Sequence, residues 1–405
     1  MTDSLIKLDN FAGGAHNCNT ADRLPEGFFR HAVNLDPVGG GKLQLRAGYS
    51  KALDGTAVRG ALALGDKVLL ADGADLVEFD TRTNSSRVLR SIAGAGDFAG
   101  AVHNGELYFC TANESLRYDG SQVRRWGVPT MPAQPAAVVA AGGAIIAGTF
   151  AFAATFVDES GLEGGTGASQ AFVSTGGQRV TFTLPAPPAG GRVRLYIGRA
   201  DSTTLYLQHE QAAAGAVTIS GLRDDTATLE AQFCTEPPQG HLVASYRGQL
   251  LIAAGSTVWV TQPLQPHLVR RATGFFQYPE PVTVLAPTPG GVFVVADKHY
   301  FLSGAGSEIQ QRAIDVARAV AGSQAALPGE RAAWMTEYGP VVGNADGSLQ
   351  FLTREHYAPD IASHGRSTVL ERAGNQLLIT TQRGIPRKSG LAMGDFVSGL
   401  EVTYP

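Results

Sequence analysis

Apolar and polar positions alternate along this chain in short runs. In Lys67–Gly73, KVLLADG, Val68 and Leu70 fall on one face and Leu69 on the other. A two-residue period with both faces apolar marks a strand buried on two sides. One unit recurs: an apolar strand, a glycine-containing turn of two to four residues, a second apolar strand, then another turn and a third short strand. It reads over Gly60–Phe79, Phe98–Gly120, Leu242–Pro263, Val282–Gly304, Ala333–Thr353 and Thr368–Gly384. Its first turns fall near Gly65, Gly105, Gly248, Gly291, Gly339 and Gly374, at spacings of 40, 143, 43, 48 and 35 residues. Four of the five lie near the roughly 40-residue period of a four-stranded propeller blade. Packing such sheets radially buries each apolar face against a neighbour and leaves only short edges. The pattern predicts an all-β chain, a β-propeller of about six or seven blades.

The long spacing predicts the domain layout. Removing one blade from it leaves about 100 residues, the size of an immunoglobulin- or fibronectin-like β-sandwich. Pro129, Pro132 and Pro135 open this segment and Pro237-Pro238 close it. Between them the stretch from Ala147 reads as strand, turn and strand, and Val180–Pro185, Val193–Arg199, Leu205–Glu210 and Gly215–Leu222 read as further strands. Tyr196 is expected to be a buried aromatic of the sandwich. The expected domains are residues 1–132, the N-terminal part of the propeller; 133–238, the inserted sandwich; and 239–405, the rest of the propeller.

Composition agrees with many strands and tight turns. The chain has 405 residues, 44% hydrophobic and 17% charged, with 50 glycines and 21 prolines. A net charge of −4 gives no strong field toward nucleic acid or an anionic membrane. Cys18, Cys110 and Cys234 are odd in number and far apart, so neither a disulfide framework nor a zinc site is expected. The N-terminus lacks a charged segment followed by an apolar one, and no run approaches a bilayer span. Ala136–Ala154 comes nearest, but Gly142, Gly143 and Gly148 make it strand and turn. A chain made in the cytoplasm, with no membrane insertion, is expected.

Motifs for chemistry are few. Sialidase-type Asp boxes are missing: Asp72-Gly73 and Asp346-Gly347 read as hairpin turns. There is no G-x-S-x-G elbow and no Trp-Asp dipeptide. Gly39–Lys42 is followed by Leu43 rather than Ser or Thr, so it reads as a hairpin between Leu35 and Leu45, not a phosphate loop. His16 and Cys18 alternate on one strand face, and two ligands do not make a metal site. Asp158, Glu159 and Glu163 form the one acidic cluster of the insert, a weak cation-loop candidate beside the plainer reading of a solvated hairpin loop. Arg383, Arg387 and Lys388 form a basic turn, and Arg23, Arg30 and Arg46 a looser basic set. No catalytic, cofactor-binding or metal-ligating residue is assigned.

Three stretches carry a resemblance. Leu8–Tyr49 contains, in order, F-x-G-G, L-P-x-G, A-x-N-x-D and R-x-G-Y. Phe156–Gly164, FVDESGLEG, and Arg194–Arg199, RLYIGR, read like a "Y-V-D-E-x-G-x-E" and "R-I-Y-R" module. Pro237–His267 reads like "P-P-x-G … G-x-V-x-x-S-x-P-x-x-P". Together they resemble bacteriophage virion structural proteins of the tail nozzle or tail hub type. The chain departs where Gly198 displaces the second basic residue to Arg199 and where Thr261 replaces a serine. The resemblance implies a virion location in the tail and ring-like homo-oligomers. It further implies contacts with neighbouring tail or adaptor proteins, and no cofactor. In a nozzle, Arg383, Arg387 and Lys388 are candidates to face passing DNA through sequence-independent phosphate contacts. The expected function is a non-enzymatic structural part of the tail, contributing to assembly and genome ejection. The alternative is a tip or fibre module binding a host receptor; a propeller glycosidase is the weaker one.

Overall fold

The structure is a computed structural model. It describes residues 10–18, 23–30, 32–48, 50–92, 96, 98–304, 308–357, 359, 362–372, 375–384 and 397–404. The fold is all-β, a propeller of six blades among the described residues, with a second β-unit inserted between blades 2 and 3. Each blade is an antiparallel meander whose strands pair in chain order. Blade 1 comprises Val58–Leu64, Lys67–Asp72, Asp75–Asp80 and Ser85–Ser91, and blade 2 Ala99–His103, Glu106–Cys110, Ser115–Tyr118 and Val123–Arg125. Blade 3 comprises Leu242–Tyr246, Gln249–Ala254, Thr257–Gln262 and Gln265–Arg270; blade 4, Val284–Thr288, Gly291–Val295, His299–Ser303 and Gln310–Asp315. Blade 5 comprises Ala325–Leu327, Arg331–Thr336, Gly339–Gly343 and Leu349–Phe351, and blade 6 Ala362–Arg372, Asn375–Gly384 and Val397–Tyr404. The N-terminal hairpin Leu35–Val38/Lys42–Leu45 pairs Leu35 with Leu45, as its glycines predict, and approaches the last strand of blade 6.

The period-2 alternation holds the ring together. In blade 2, Leu107 and Phe109 pack on Leu69, Ala71 and Leu76 of blade 1. Their neighbours Tyr108 and Cys110 point the other way, onto Val243, Leu250 and Ile252 of blade 3. Leu251 and Ala253 of blade 3 meet Val292 and Val294 of blade 4, and Phe293 and Val295 of blade 4 meet Trp334 and Val341 of blade 5. Ala333 and Val342 of blade 5 then meet Leu378 of blade 6. Each fully buried aliphatic or aromatic side chain in such a seam contributes about 1.5–3 kcal/mol relative to exposure, so the seams, rather than hairpin propensity, set the ring's stability.

One repeat sits a strand out of register with the sequence reading. The turns at Gly65, Gly105, Gly248 and Gly291 join the first and second strands of their blades, but the turn at Gly339 joins the second and third of blade 5. The first turn of blade 5 is at Gly329 and Glu330, both at positive φ. Counting from it, the spacings on either side become 38 and 45 residues, closer to the blade period than 48 and 35. The first strand of blade 5, Ala325–Leu327, is only three residues long and runs into Pro328, too short to show a period. The first turn of blade 6, at Gly374, lies outside the described residues.

The inserted unit has one five-stranded sheet path, in the order Leu205–Gln211, Arg192–Gly198, Ala137–Val157, Gln170–Leu184, Gly215–Ile219. That path is folded over. Phe172 and Phe182 are ten residues apart on one strand, about 33 Å if it ran straight, yet their rings lie 6.1 Å apart. The corner is made by Gly142-Gly143, opposed across the hairpin by Gly176-Gly177, where the pairing register slips. Two layers result, closed over Phe150, Phe152, Phe182, Leu195, Ile197 and Val217. The expected boundary at residue 238 moves: Cys234–Thr235 leaves the insert and pairs with Gln265–Arg270 of blade 3.

Candidate functional site

The first strands of all six blades face one central channel. Val58–Leu62, Ala99–Ala101, Leu242–Ser245, Leu285–Pro287, Ala325–Ala326 and Arg366–Thr368 surround a cavity of about 690 Å³. Small residues dominate, as inner strands of a narrow propeller demand. A second cavity of about 820 Å³ shares Arg59, Leu242, Gly322 and Arg366 with it and forms one mouth of the channel. Blade 6 contributes His364, Arg366 and Arg383 to this mouth, with His364 directly opposite Arg383 in the sheet register. Blade 1 contributes Arg59, whose guanidinium donates to the carbonyls of Gly96 at 3.0 Å and Gly73 at 2.6 Å. His241, just before blade 3, donates from Nε2 to the Val282 carbonyl at 2.7 Å. Arg366 donates from Nη1 to the Gly322 carbonyl at 3.3 Å. Among the described lining residues there is no carboxylate.

Of the basic turn expected to face DNA, Arg383 is thus at the channel mouth, and Arg387 and Lys388 lie outside the described residues. Of the other basic groups of the mouth, His364 and Arg366 come from the same blade, Arg59 from blade 1 and His241 from just before blade 3, and all four went unread in the sequence. The signal available was positional: they sit within or beside inner strands, which register alone would have aligned. Of the looser basic set, Arg46 pairs with Asp36 at 2.8 Å, and Arg23 and Arg30 are on the N-terminal segment.

The acidic cluster has a different place from the one expected of a cation loop. Asp158, Glu159 and Glu163 do not converge; each turns to its own arginine, and they form the joint between insert and propeller. Asp158 Oδ1 closes its loop by accepting from the backbone of Ser160 and Leu162, both at 2.9 Å. Its Oδ2 lies 3.4 Å from Nη2 of Arg117, a buried blade 2 arginine whose Nη1 is 3.4 Å from Glu106 and which also donates to Ser160 at 2.5 Å. Glu159 lies 3.5 Å from Arg124 of blade 2. Glu163 accepts from Thr155 at 2.5 Å, Tyr196 at 2.7 Å and Arg194 at 2.8 Å, and its carbonyl accepts from His267 of blade 3 at 3.1 Å. Tyr196 is buried as expected, and burial, with the Glu163 charge beside it, pushes its hydroxyl pKa up, keeping it a donor. Burial pulls the His267 pKa down, which keeps the ring neutral. Gly165 is fixed by close approach: a Cβ there would sit 1.9 Å from the Cys234 carbonyl oxygen.

Other candidate chemistry is incomplete. His16 is buried against Phe28, 5.2 Å between centroids, while Cys18 is exposed, so the two are not a ligand pair. Among the described residues no three His, Cys, Asp or Glu side chains are grouped to hold a metal ion. His103 Nδ1 lies 3.0 Å from Ser245 Oγ on the channel wall, a nucleophile–base distance. Its Nε2, however, is buried without a partner, so no carboxylate orients the ring as a triad requires. Asp72-Gly73 and Asp346-Gly347 are turns, with both glycines at positive φ.

No protein-family model matches the chain, and no curated protein sequence matches it. Solved structures do match in overall shape. The N-terminal domain of Nup159 is 9% identical, with 80% of this chain and 73% of that one covered at a TM-score of 0.30. The AfRom2 CNH domain is 10% identical, with 92% and 94% covered at 0.34. Hsv2 of Kluyveromyces lactis is 7% identical, with 86% and 98% covered at 0.30. At these scores the propeller assignment rests on the sheets and seams described above.

Proposed function

We propose that this chain is a non-enzymatic structural component of a bacteriophage tail, of the nozzle, hub or tip type, built into a ring of its own copies and against neighbouring tail or adaptor proteins. The observation that carries this reading is where the motif residues meet. Asp158 and Glu163 of FVDESGLEG, Arg194 and Tyr196 of RLYIGR, and His267 at the end of the Pro237–His267 segment gather at one joint. Two of the three stretches that resemble tail proteins thus contribute to a single mechanical element. It locks a sandwich to a propeller, as a load-transmitting part needs, and holds no reacting group. Exposed Val138, Ile146 and Val173 on the insert and Leu264 and Phe275 on blade 3 supply apolar area for assembly contacts. Contact with DNA during ejection is transient and independent of sequence in this reading.

The test is assembly state. Purified chain, alone and mixed with candidate adaptor proteins, is expected to form discrete rings, hexameric or dodecameric, by light scattering and electron microscopy. A chain that stays monomeric in both settings, or that turns over bacterial polysaccharide, overturns the proposal.

A further inference from the structure

We infer that the channel mouth is a binding site for phosphoryl groups, taking a short, multiply charged phosphate chain; this goes beyond the tail reading and does not rest on it. Three arginines and two histidines from blades 1, 3 and 6 surround one cavity of about 820 Å³. That lies within the roughly 300–1,000 Å³ range of small-molecule sites. Guanidinium groups present paired N–H donors matched to phosphate oxygens, and several around one rim favour an anion with more than one charge. Two of the arginines are held in place by backbone carbonyls, Arg59 by Gly73 and Gly96 and Arg366 by Gly322, so little side-chain order remains to be lost on binding.

Gly96, Gly322 and Gly365 also line the cavity, where a Cβ on each would meet Ala112, Arg366 and Ser323. Gly322 is committed: it sits at φ +74, and a Cβ there would meet Arg366 Nη1 at 2.3 Å. The aliphatic side chains of the lining are Leu242, Pro281, Val282 and Ala321. A cavity of about 820 Å³ is of small-molecule size rather than that of a DNA duplex. A free polyphosphate and the phosphorylated end of a single strand share the chemistry that fits.

Calorimetric titration of the full chain with inorganic tripolyphosphate tests this. One saturating equivalent is expected, weakened about tenfold by Arg383→Ala, the loss typical of one charge-assisted contact, and largely kept by Arg383→Lys. His364→Gln is expected to weaken binding as well. Arg383 and His364 are exposed, so both variants should melt as the parent does. Arg199→Ala, on the insert and paired with Asp224, should bind as the parent. Competition by a 5′-phosphorylated single-stranded oligonucleotide would assign the site to nucleic-acid ends; no competition would assign it to free phosphate chains. Absence of saturable binding up to millimolar tripolyphosphate overturns the inference, as does equal loss in Arg383→Ala and Arg199→Ala.

Discussion

Two buried side chains decide most of what single substitutions should do here. Arg117 is enclosed between Glu106, Asp158 and the Arg125 carbonyl, so truncation strips two carboxylates of their partner at once. Breaking a buried ion pair from one side typically costs about 3–5 kcal/mol. Arg117→Ala should therefore lower the denaturant midpoint by an amount worth about 3 kcal/mol, and a change under about 0.5 kcal/mol, the level of ordinary surface substitutions, would count against the joint. His299 acts through pH. It is fully buried, and its Nε2 accepts from Trp334 Nε1 at 2.9 Å across the seam between blades 4 and 5. Burial pushes its pKa down to about 4, with Asp315 and the Ala317 backbone acting weakly the other way. The unfolded chain protonates this ring near its ordinary pKa of 6.5 and the folded chain only near 4, so the unfolded state binds the extra proton between them. Stability is fully present above pH 6.5 and declines as pH falls toward 4, by about 3 kcal/mol at most. His299→Gln, which keeps an acceptor for Trp334, should flatten that decline; denaturation midpoints measured from pH 7 to 4 that run parallel in both proteins would refute it.

At the scale of the strand and hairpin, legibility followed length and alternation. The second strand of each well-formed blade was readable because both faces are apolar: Val68, Leu69 and Leu70 in blade 1 show it, Leu69 buried in the seam and its neighbours half-buried opposite. Ala325–Leu327 was not readable, because three residues carry no measurable period and Pro328 follows at once. The fold of the Ala137–Val157 strand was half readable. Gly142-Gly143 was visible as a turn, but a corner opposed by Gly176-Gly177 in the partner strand is a property of pairing, not of either segment. The acidic loop shows the limit for sites. Asp158, Glu159 and Glu163 stand close in sequence, yet their partners Arg117, Arg124 and Arg194 lie in three other strands, and only tertiary pairing distinguishes a joint from a cation loop. Arg383 was legible as a basic position; Arg366, 17 residues earlier on the paired strand, and Arg59, more than 300 residues away in blade 1, were not legible as its neighbours at the mouth.

The whole molecule is two cores with one connection, and that makes it divisible. The insert closes over its own aromatic core, and blades 2 and 3 meet directly through Tyr108, Trp126, Val243 and Ile252 without help from it. Its entry and exit are neighbours: Met131 and Gln232 each bridge to Thr166 in parallel, from opposite sides. Two strand spacings, about 10 Å, therefore separate them, a gap that a linker of about four residues spans. Joining residue 131 to residue 232 through such a linker should leave a propeller that still folds, because Cys234–Thr235 and the Trp126 indole bond to the Pro266 carbonyl remain to register blade 2 on blade 3. The excised chain should keep its β-sheet circular dichroism and a cooperative melt, at a lower midpoint, since Arg117 loses Asp158 and Ser160 and is left with Glu106, the Arg125 carbonyl and water. If the ring instead needed the insert as a wedge between blades 2 and 3, the excised chain would lose its cooperative transition, and the two-core description of the molecule would fail with it.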